Sequence, residues 1–426
     1  MIANPTTRFQ VSAMAENLIG SEIIKLAGEI NEKLKRGEKV YNFTIGDFDP
    51  KIFPIPTAYN DAIVAAYGAH QTNYPAANGM LELRNVVSNF IQSQQGLYYS
   101  ADEILISGGA RPLIYATYIT LLDKGEKVVF PVPSWNNNHY CHLSGATPVY
   151  VTTHAADNFM PTASLLEPYL KDANLLALCS PLNPTGTVFT EKQLLEICHL
   201  VVAENQRRGT NQKPLYLMYD QIYSVLLFGE NKHFDPVTLC PAVRDYTIYI
   251  DGISKSMAAT GVRVGWAFGP AVIIDKMKAI LSHVGAWAPK AEQIATANFM
   301  QQEEEVNKFL KKFKSEIDYR LSALYNGFKN LNKKGYKVDC IPPQAAIYLT
   351  IKLDLKGMQS KNGHILAQQT DVTDYMLNEA KLAVVPFSAF GTDTQSPWYR
   401  LSIGTSKKDE IPDVLTSLEN ALAQLQ

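Results

Sequence analysis

The chain has 426 residues, 46% hydrophobic and 19% charged, with a formal net charge of −2 at pH 7. That length exceeds one ordinary core and predicts two domains, while the near-neutral balance gives no electrostatic case for nucleic acid or a membrane surface. Five scattered cysteines argue against a disulfide framework, and Met1-Ile2-Ala3-Asn4-Pro5-Thr6-Thr7-Arg8 lacks a signal-peptide pattern, so an intracellular, cytoplasmic protein is expected.

From the N-terminus, residues 21–34 predict a helix, with Ser21 as N-cap and Ile23, Ala27, Ile30 and Leu34 on one face. After that the chain repeats one pattern: a short apolar run, a turn rich in Gly, Pro or Asn, then helical periodicity. The runs are Ile104–Ile106, Val128–Phe130, Leu175–Leu178, Leu215–Met218 and Ile248–Ile250. Near-continuous apolar strands alternating with helices indicate a mostly parallel sheet covered on both faces. Val264–Phe268 follows a turn closely enough to be an antiparallel neighbour. Beyond about residue 295, Leu310, Phe313, Ile317, Leu321, Leu324, Phe328 and Leu331 form one stripe at steps of three and four. Such a helix is long enough to leave one domain and enter another. Two strand-like stretches, Ala346–Ile351 and Tyr399–Ile403, and a final amphipathic helix follow.

The chemically loaded residues cluster where the apolar runs end, which is where open α/β sheets bind ligands. Ser107-Gly108-Gly109-Ala110-Arg111-Pro112 opens a helix, whose N-terminal N–H groups suit an anion. Trp135 follows the second run, and His139-Tyr140-Cys141-His142 beyond it reads as a packed helix, because no second ligand pair completes a zinc site. No metal is expected. Asp220 ends the fourth run, where a carboxylate is costly unless it meets a cation. Lys255 follows the fifth, in Asp251-Gly252-Ile253-Ser254-Lys255-Ser256, ahead of Gly261-Val262-Arg263. A lone lysine is usually a solvated charge; one behind a buried strand is not.

Together with Ser180-Pro181-Leu182-Asn183-Pro184-Thr185-Gly186 and Tyr219-Asp220-Gln221-Ile222-Tyr223, this set resembles the fold type I enzymes that use pyridoxal 5′-phosphate (PLP), specifically the class I aminotransferases. The resemblance covers nearly the whole chain and is nearest to aspartate-type members. It implies an α/β fold with a mostly parallel seven-stranded sheet in a large PLP-binding domain, residues 51–310. A small α+β domain would combine residues 1–50 with 311–426. It also implies that Lys255 holds PLP as a Schiff base and moves the substrate proton, and that Asp220 keeps the pyridine nitrogen protonated. Asn183 and Tyr223 would bond the phenolic oxygen, and Trp135 would lie against the ring. Backbone amides of Gly109, Ala110 and Arg111, with Ser254 and Arg263, would hold the phosphate. The substrate would meet Gly46, Trp135 and Asn183, with Arg400 clamping its α-carboxylate. Tyr74 would reach the phosphate across a homodimer interface, giving shared active sites.

The reaction implied is ping-pong transamination between an L-amino acid and a 2-oxo acid, aspartate with 2-oxoglutarate being the first expectation. Aromatic, alanine or kynurenine substrates stay open, as does a C–S β-lyase on the same scaffold. A non-enzymatic PLP-binding regulator is disfavoured by Lys255 and Arg400. Three departures from the family pattern bear on specificity: Ala345 where glycine is common, Lys290 as a partner for a second carboxylate, and Trp287, which suits an aromatic side chain.

Overall fold

The structure, a computed structural model, describes residues 11–18 and 22–426. The apolar runs form strands β1 (Ile104–Ser107), β2 (Lys127–Val132), β3 (Thr147–Thr152), β4 (Ala173–Cys179), β5 (Tyr216–Asp220), β6 (Thr247–Gly252) and β7 (Gly265–Phe268). They make one sheet in the order β1-β7-β6-β5-β4-β2-β3. Strand β7 is antiparallel to both β1 and β6, and the other pairs are parallel. Because side chains alternate across a strand, each run feeds two cores. Leu176, Leu178, Leu217 and Tyr249 join the core on one face, and Leu175, Ala177, Met218 and Ile250 the core on the other. That double burial explains why these strands read as unbroken apolar runs. Strand β3, absent from the expected set, lies at the sheet edge, and only Val151 along it is buried.

A smaller antiparallel sheet follows in the chain, from β8 (Val338–Cys340), β9 (Tyr348–Leu353), β10 (Val385–Pro386) and β11 (Trp398–Ser402), ordered β10-β11-β9-β8. The long helix runs Glu303–Lys333 and spans the two cores as its length predicts. Val306 belongs to the large-sheet core, with Leu310 packed against it; Phe313, Ile317, Leu321, Leu324, Phe328 and Leu331 belong to the other. Tyr41, Phe43, Phe48 and Phe53 from the N-terminal segment share that second core. They are held there by a short parallel pairing of Tyr41–Asn42 with Leu382–Ala383.

The first long helix spans Glu22–Lys35. Its expected cap, Ser21, and the Ile23 side chain lie outside the described residues. Ile30 is fully buried and Ala27 half-buried, whereas Leu34 is 47% exposed, so the apolar stripe stops one turn earlier than its spacing suggests. No helix among the described residues is long and apolar enough to cross a membrane.

Candidate active site

A cavity of about 620 Å³ opens at the C-terminal ends of β4, β5 and β6, bounded on its far side by the N-terminal loop and β11. Six charged side chains line it: Arg111, Lys255, Arg263 and Arg400 against the carboxylates Asp47 and Asp220. Of the residues expected in a site, Gly46, Ala110, Trp135, Asn183, Tyr223 and Ser254 also line it. Gly109 and Tyr74 do not.

Lys255 sits in a one-turn helix, Ile253–Ser256, that begins where β6 ends. Its Nζ donates to the Gly46 carbonyl (2.6 Å) and has Phe48 and Tyr223 rings within about 6 Å. Burial pushes its pKa down from 10.5 to about 8; Asp47 opposes that shift, and the guanidiniums of Arg400, Arg111 and Arg263 add to it. A depressed pKa eases the loss of the proton that a Schiff-base lysine must shed before its nitrogen can attack.

Asp220 ends β5 and accepts only the Ile222 backbone N–H (3.1 Å). Burial raises its carboxyl to about 6, and among the described residues it has no cation. A carboxylate so placed is complete only when a positive group enters the cavity.

Arg400, on β11, presents the converse. It is 2% exposed and has no carboxylate partner among the described residues. Nη1 donates to Asn183 Oδ1 (3.1 Å), Nη2 to the Thr44 carbonyl (2.7 Å), and Nε has no partner. The rings of Tyr348 and Phe390 flank it, each 4.9 Å away. A desolvated guanidinium held only by neutral oxygens is a receptor for a carboxylate.

The anion corner is built from backbone. Gly109 has φ +96, and a Cβ there would collide with the Arg263 guanidinium. Arg263 itself adopts φ +65, a conformation non-glycine residues rarely hold, and donates through Nη2 to the Gly108 carbonyl (2.7 Å). The Gly109 amide is engaged by Ser107 O (2.6 Å). The free donors at the N-terminus of helix Ala110–Leu121 are therefore the amides of Ala110 and Arg111, beside Ser254.

Several contributors were missed. Tyr348 bonds Tyr223 hydroxyl to hydroxyl (2.6 Å), one donating and the other accepting, and burial raises both phenols, so both stay neutral. Asp47 accepts from Thr260 Oγ1 (2.6 Å), tying the N-terminal loop to the Lys255–Arg263 segment. Asp47 follows Gly46 directly and was the one legible signal among these. Of the three departures from the family pattern, none lines the cavity. Ala345 bonds the Gly186 carbonyl through its amide (2.9 Å). Lys290 bonds Asn73 (2.8 Å), and Trp287 lies edge-on to Tyr74 with ring centres 5.1 Å apart. His139 and His142 ride the helix Asn137–Ser144, whose buried residues are Tyr140 and Cys141, and His142 Nε2 meets the Met14 carbonyl (2.7 Å).

This donor set fits PLP: a buried carboxylate without a cation among the described residues for the ring nitrogen, a lysine of depressed pKa for the aldehyde, and two free amides with Arg263 for the phosphate. Comparison with known proteins agrees. The family model for aminotransferase class I and II matches residues 38–418. A probable aspartate/prephenate aminotransferase of Rickettsia felis is 27% identical, over 97% of each chain. A bifunctional aspartate and glutamate/aspartate-prephenate aminotransferase of Petunia hybrida is 29% identical, over 88% of this chain and 75% of its own. The crystal structure of the Rhizobium meliloti aspartate aminotransferase superposes with a TM-score of 0.90 at 26% identity, covering 98% of this chain and 100% of that one. The chain therefore belongs to the class I and II aminotransferases, and is a PLP-dependent transaminase of the fold type I architecture.

Proposed function

We propose that this transaminase takes an aspartate-type amino donor and a 2-oxo acid acceptor in a ping-pong cycle. One observation carries the reading: Arg400, a buried guanidinium without a carboxylate among the described residues, faces the same cavity as Lys255, whose pKa is depressed, and the cation-seeking Asp220. The names borne by the relatives support the choice of aspartate.

In this reading Arg400 binds the α-carboxylate through its two Nη groups, displacing none of the protein's own ion pairs. Asn183 orients it, and Trp135 walls the cavity beside it. When bound, PLP supplies the electron sink for the charge released at the donor's Cα, and Asp220 sustains it by holding the ring nitrogen protonated. Asn183 and Tyr223 stabilise the phenolic oxygen, the latter backed by Tyr348. Ala110, Arg111, Ser254 and Arg263 hold the phosphate, with Gly109 leaving room for the Arg263 fork. Lys255 takes the Cα proton and returns it. The Gly46 carbonyl, 2.6 Å from Nζ, fixes the direction of the amine and closes the cavity from above.

The division into residues 51–310 and residues 1–50 with 311–426 is supported by Phe313, Ile317 and Leu321 joining the second core, although Phe53 and Tyr223 from the larger piece enter it too. A homodimer with shared sites is supported by Tyr74, 79% exposed and leaning on Trp287 beside the glycine loop, where Ser107 Oγ donates to Ala286 O (2.6 Å). An exposed tyrosine ring propped on a half-buried tryptophan is surface for a second copy to cover. All five cysteines are free, in keeping with a cytoplasmic setting.

The test is the visible spectrum of the PLP-loaded protein on adding single amino acids without any oxo acid. Loss of the band with aspartate or glutamate, with stoichiometric release of the matching oxo acid, is the expected result. A band that persists with both dicarboxylic donors sinks the aspartate reading.

A further inference from the structure

Next to the cavity, but not on its wall, lies a buried polar cluster that the chemistry above leaves unused. Asp251, in β6, is 4% exposed and has no cation paired with it among the described residues. Burial raises its carboxyl to about 7; bonds from Gly252 and Gln221 oppose that rise, and the Asp220 charge adds to it. Its Oδ1 accepts the Gly252 amide (2.7 Å) and its Oδ2 the side-chain amide of Gln221 (3.2 Å). The orientation of Gln221, itself buried, is fixed from the other end. Its Oε1 accepts from Gln95 Nε2 (2.8 Å) and faces His233 Nε2 (3.2 Å). Burial lowers that imidazole to about 4 and keeps it neutral, so the nitrogen that faces an oxygen carries the hydrogen. With two donors on its oxygen, Gln221 offers Asp251 only N–H, and only an acceptor answers it.

The cluster stands where the sheet stops tying two functional turns together. The β5–β6 ladder ends at the Asp220–Ile250 pair. Beyond it, one strand turns through Ile222, whose amide bonds Asp220 (3.1 Å), and the other runs into Ile253–Ser256, which bears Lys255. Past that pair the two are joined by the Gln221 amide on Ile250 O (2.9 Å) and by the bridge Gln221–Asp251–Gly252. We propose that Asp251 is a positioning residue: through Gln221 and the Gly252 amide it locks the turn of Asp220 to the turn of Lys255, and so places the proton-moving amine against the ring that Asp220 holds. A neutral side chain would fill the space without burying an acid, but it would not answer two facing donors. The inference rests on the roles given to Lys255 and Asp220 and holds for any amino donor.

The experiment compares PLP-loaded wild type, Asp251→Asn, and the exchanged pair Gln221→Glu with Asp251→Asn. It is run at about pH 8.5, where Asp251 is ionised, with the donor that wild type prefers. In Asp251→Asn an N–H faces the Gln221 N–H. In the exchanged pair the bridge returns in reverse, the introduced carboxylate accepting from Gln95, His233 and the introduced amide. Loss of the bridge predicts a kcat about 10- to 100-fold lower in Asp251→Asn, with the donor KM within about twofold because Arg400 is untouched. PLP affinity, from fluorescence titration of the cofactor-free protein, should fall about tenfold. The exchanged pair should recover most of both losses, which a loss of packing alone would not allow. If Asp251→Asn folds poorly, Gln95→Leu, at the half-buried end of the cluster, decides: kcat lowered about threefold at constant KM supports the bridge, and an unchanged kcat overturns it. Wild-type kcat and PLP affinity in a folded Asp251→Asn overturn the inference, as does an exchanged pair no better than the single variant. Turnover that survives in Lys255→Ala overturns the roles on which it rests, and the inference with them.

Discussion

The two walls of the active site are built on opposite plans. The sheet wall carries Asp220 at the end of β5, Lys255 just after β6 and Arg263 just before β7, each within a few residues of a hydrogen-bonded ladder. Its polar groups are held in unfavourable states before any ligand arrives: a carboxyl raised to about 6, an amine lowered to about 8, an arginine at φ +65. The opposite wall carries Gly46 and Arg400, which lie more than 350 residues apart and are joined mainly by backbone carbonyls. Arg400 donates to Thr44 O (2.7 Å), Ser402 Oγ to Ile45 O (2.7 Å), and the Ser402 amide to Phe43 O (2.8 Å). The first wall stores chemistry and the second assembles recognition. Damage to the two should therefore look different.

The sharpest break comes at Lys255. Lys255→Ala should end covalent PLP attachment and lower the single-turnover rate with aspartate by at least about a thousandfold, the scale of a lost general base. Stopped-flow absorbance checks both at once, and turnover near the wild-type rate would remove Lys255 from the chemistry. On the opposite wall, Arg400→Ala should leave the PLP spectrum intact while raising the KM for aspartate about a hundredfold, as removal of a buried charge partner does. Steady-state kinetics decides it; a change confined to kcat would move Arg400 out of ground-state binding.

Gly109→Ala tests the anion corner with a smaller effect. An alanine at φ +96 is strained and its Cβ meets the Arg263 fork, so PLP affinity should fall by about tenfold, measured by fluorescence titration of the cofactor-free protein. The smallest effect is one of pH on that same protein. The Lys255 pKa is about 8 folded and near 10.5 unfolded, so between these values the unfolded chain binds more protons. Stability therefore rises with pH across that window, and the penalty of the buried amine is fully present below about 8. Lys255→Met lacks the penalty: its melting-temperature advantage over wild type should be largest below pH 8 and shrink towards pH 10.5. A constant advantage would show that the amine does not titrate in that window.

The same contrast governs what the sequence disclosed. Lys255, Asp220, Tyr223 and Asn183 were legible because each sits in a short contiguous signature at the end of an apolar run, so local pattern fixes spatial place. The seven strands were nearly all visible for the same reason; β3 was not, because an edge strand with one buried residue carries little apolar signal. Tyr348, Thr44 and Thr260 were silent. Tyr348 matters through a hydroxyl 125 positions from its partner Tyr223, and Thr44 through its carbonyl, which no side-chain pattern encodes. The second core likewise hides its N-terminal members, since the two-residue pairing of Tyr41–Asn42 with Leu382–Ala383 is too short to read.

That pairing has a consequence for the order in which the protein comes into being. Everything the sheet wall needs has left the ribosome once residue 268 and its neighbours have emerged, and folding of such units proceeds from the N-terminus as synthesis goes on. The loop bearing Gly46 has emerged long before, yet its anchors, Leu382, Arg400 and Ser402, are made only after the whole of that sheet. A nascent chain thus passes through a stage in which the lysine and its cofactor cradle exist while the cover over them does not. Cofactor loading during synthesis would meet an open site, and recognition of the amino acid is deferred until β11 has been made.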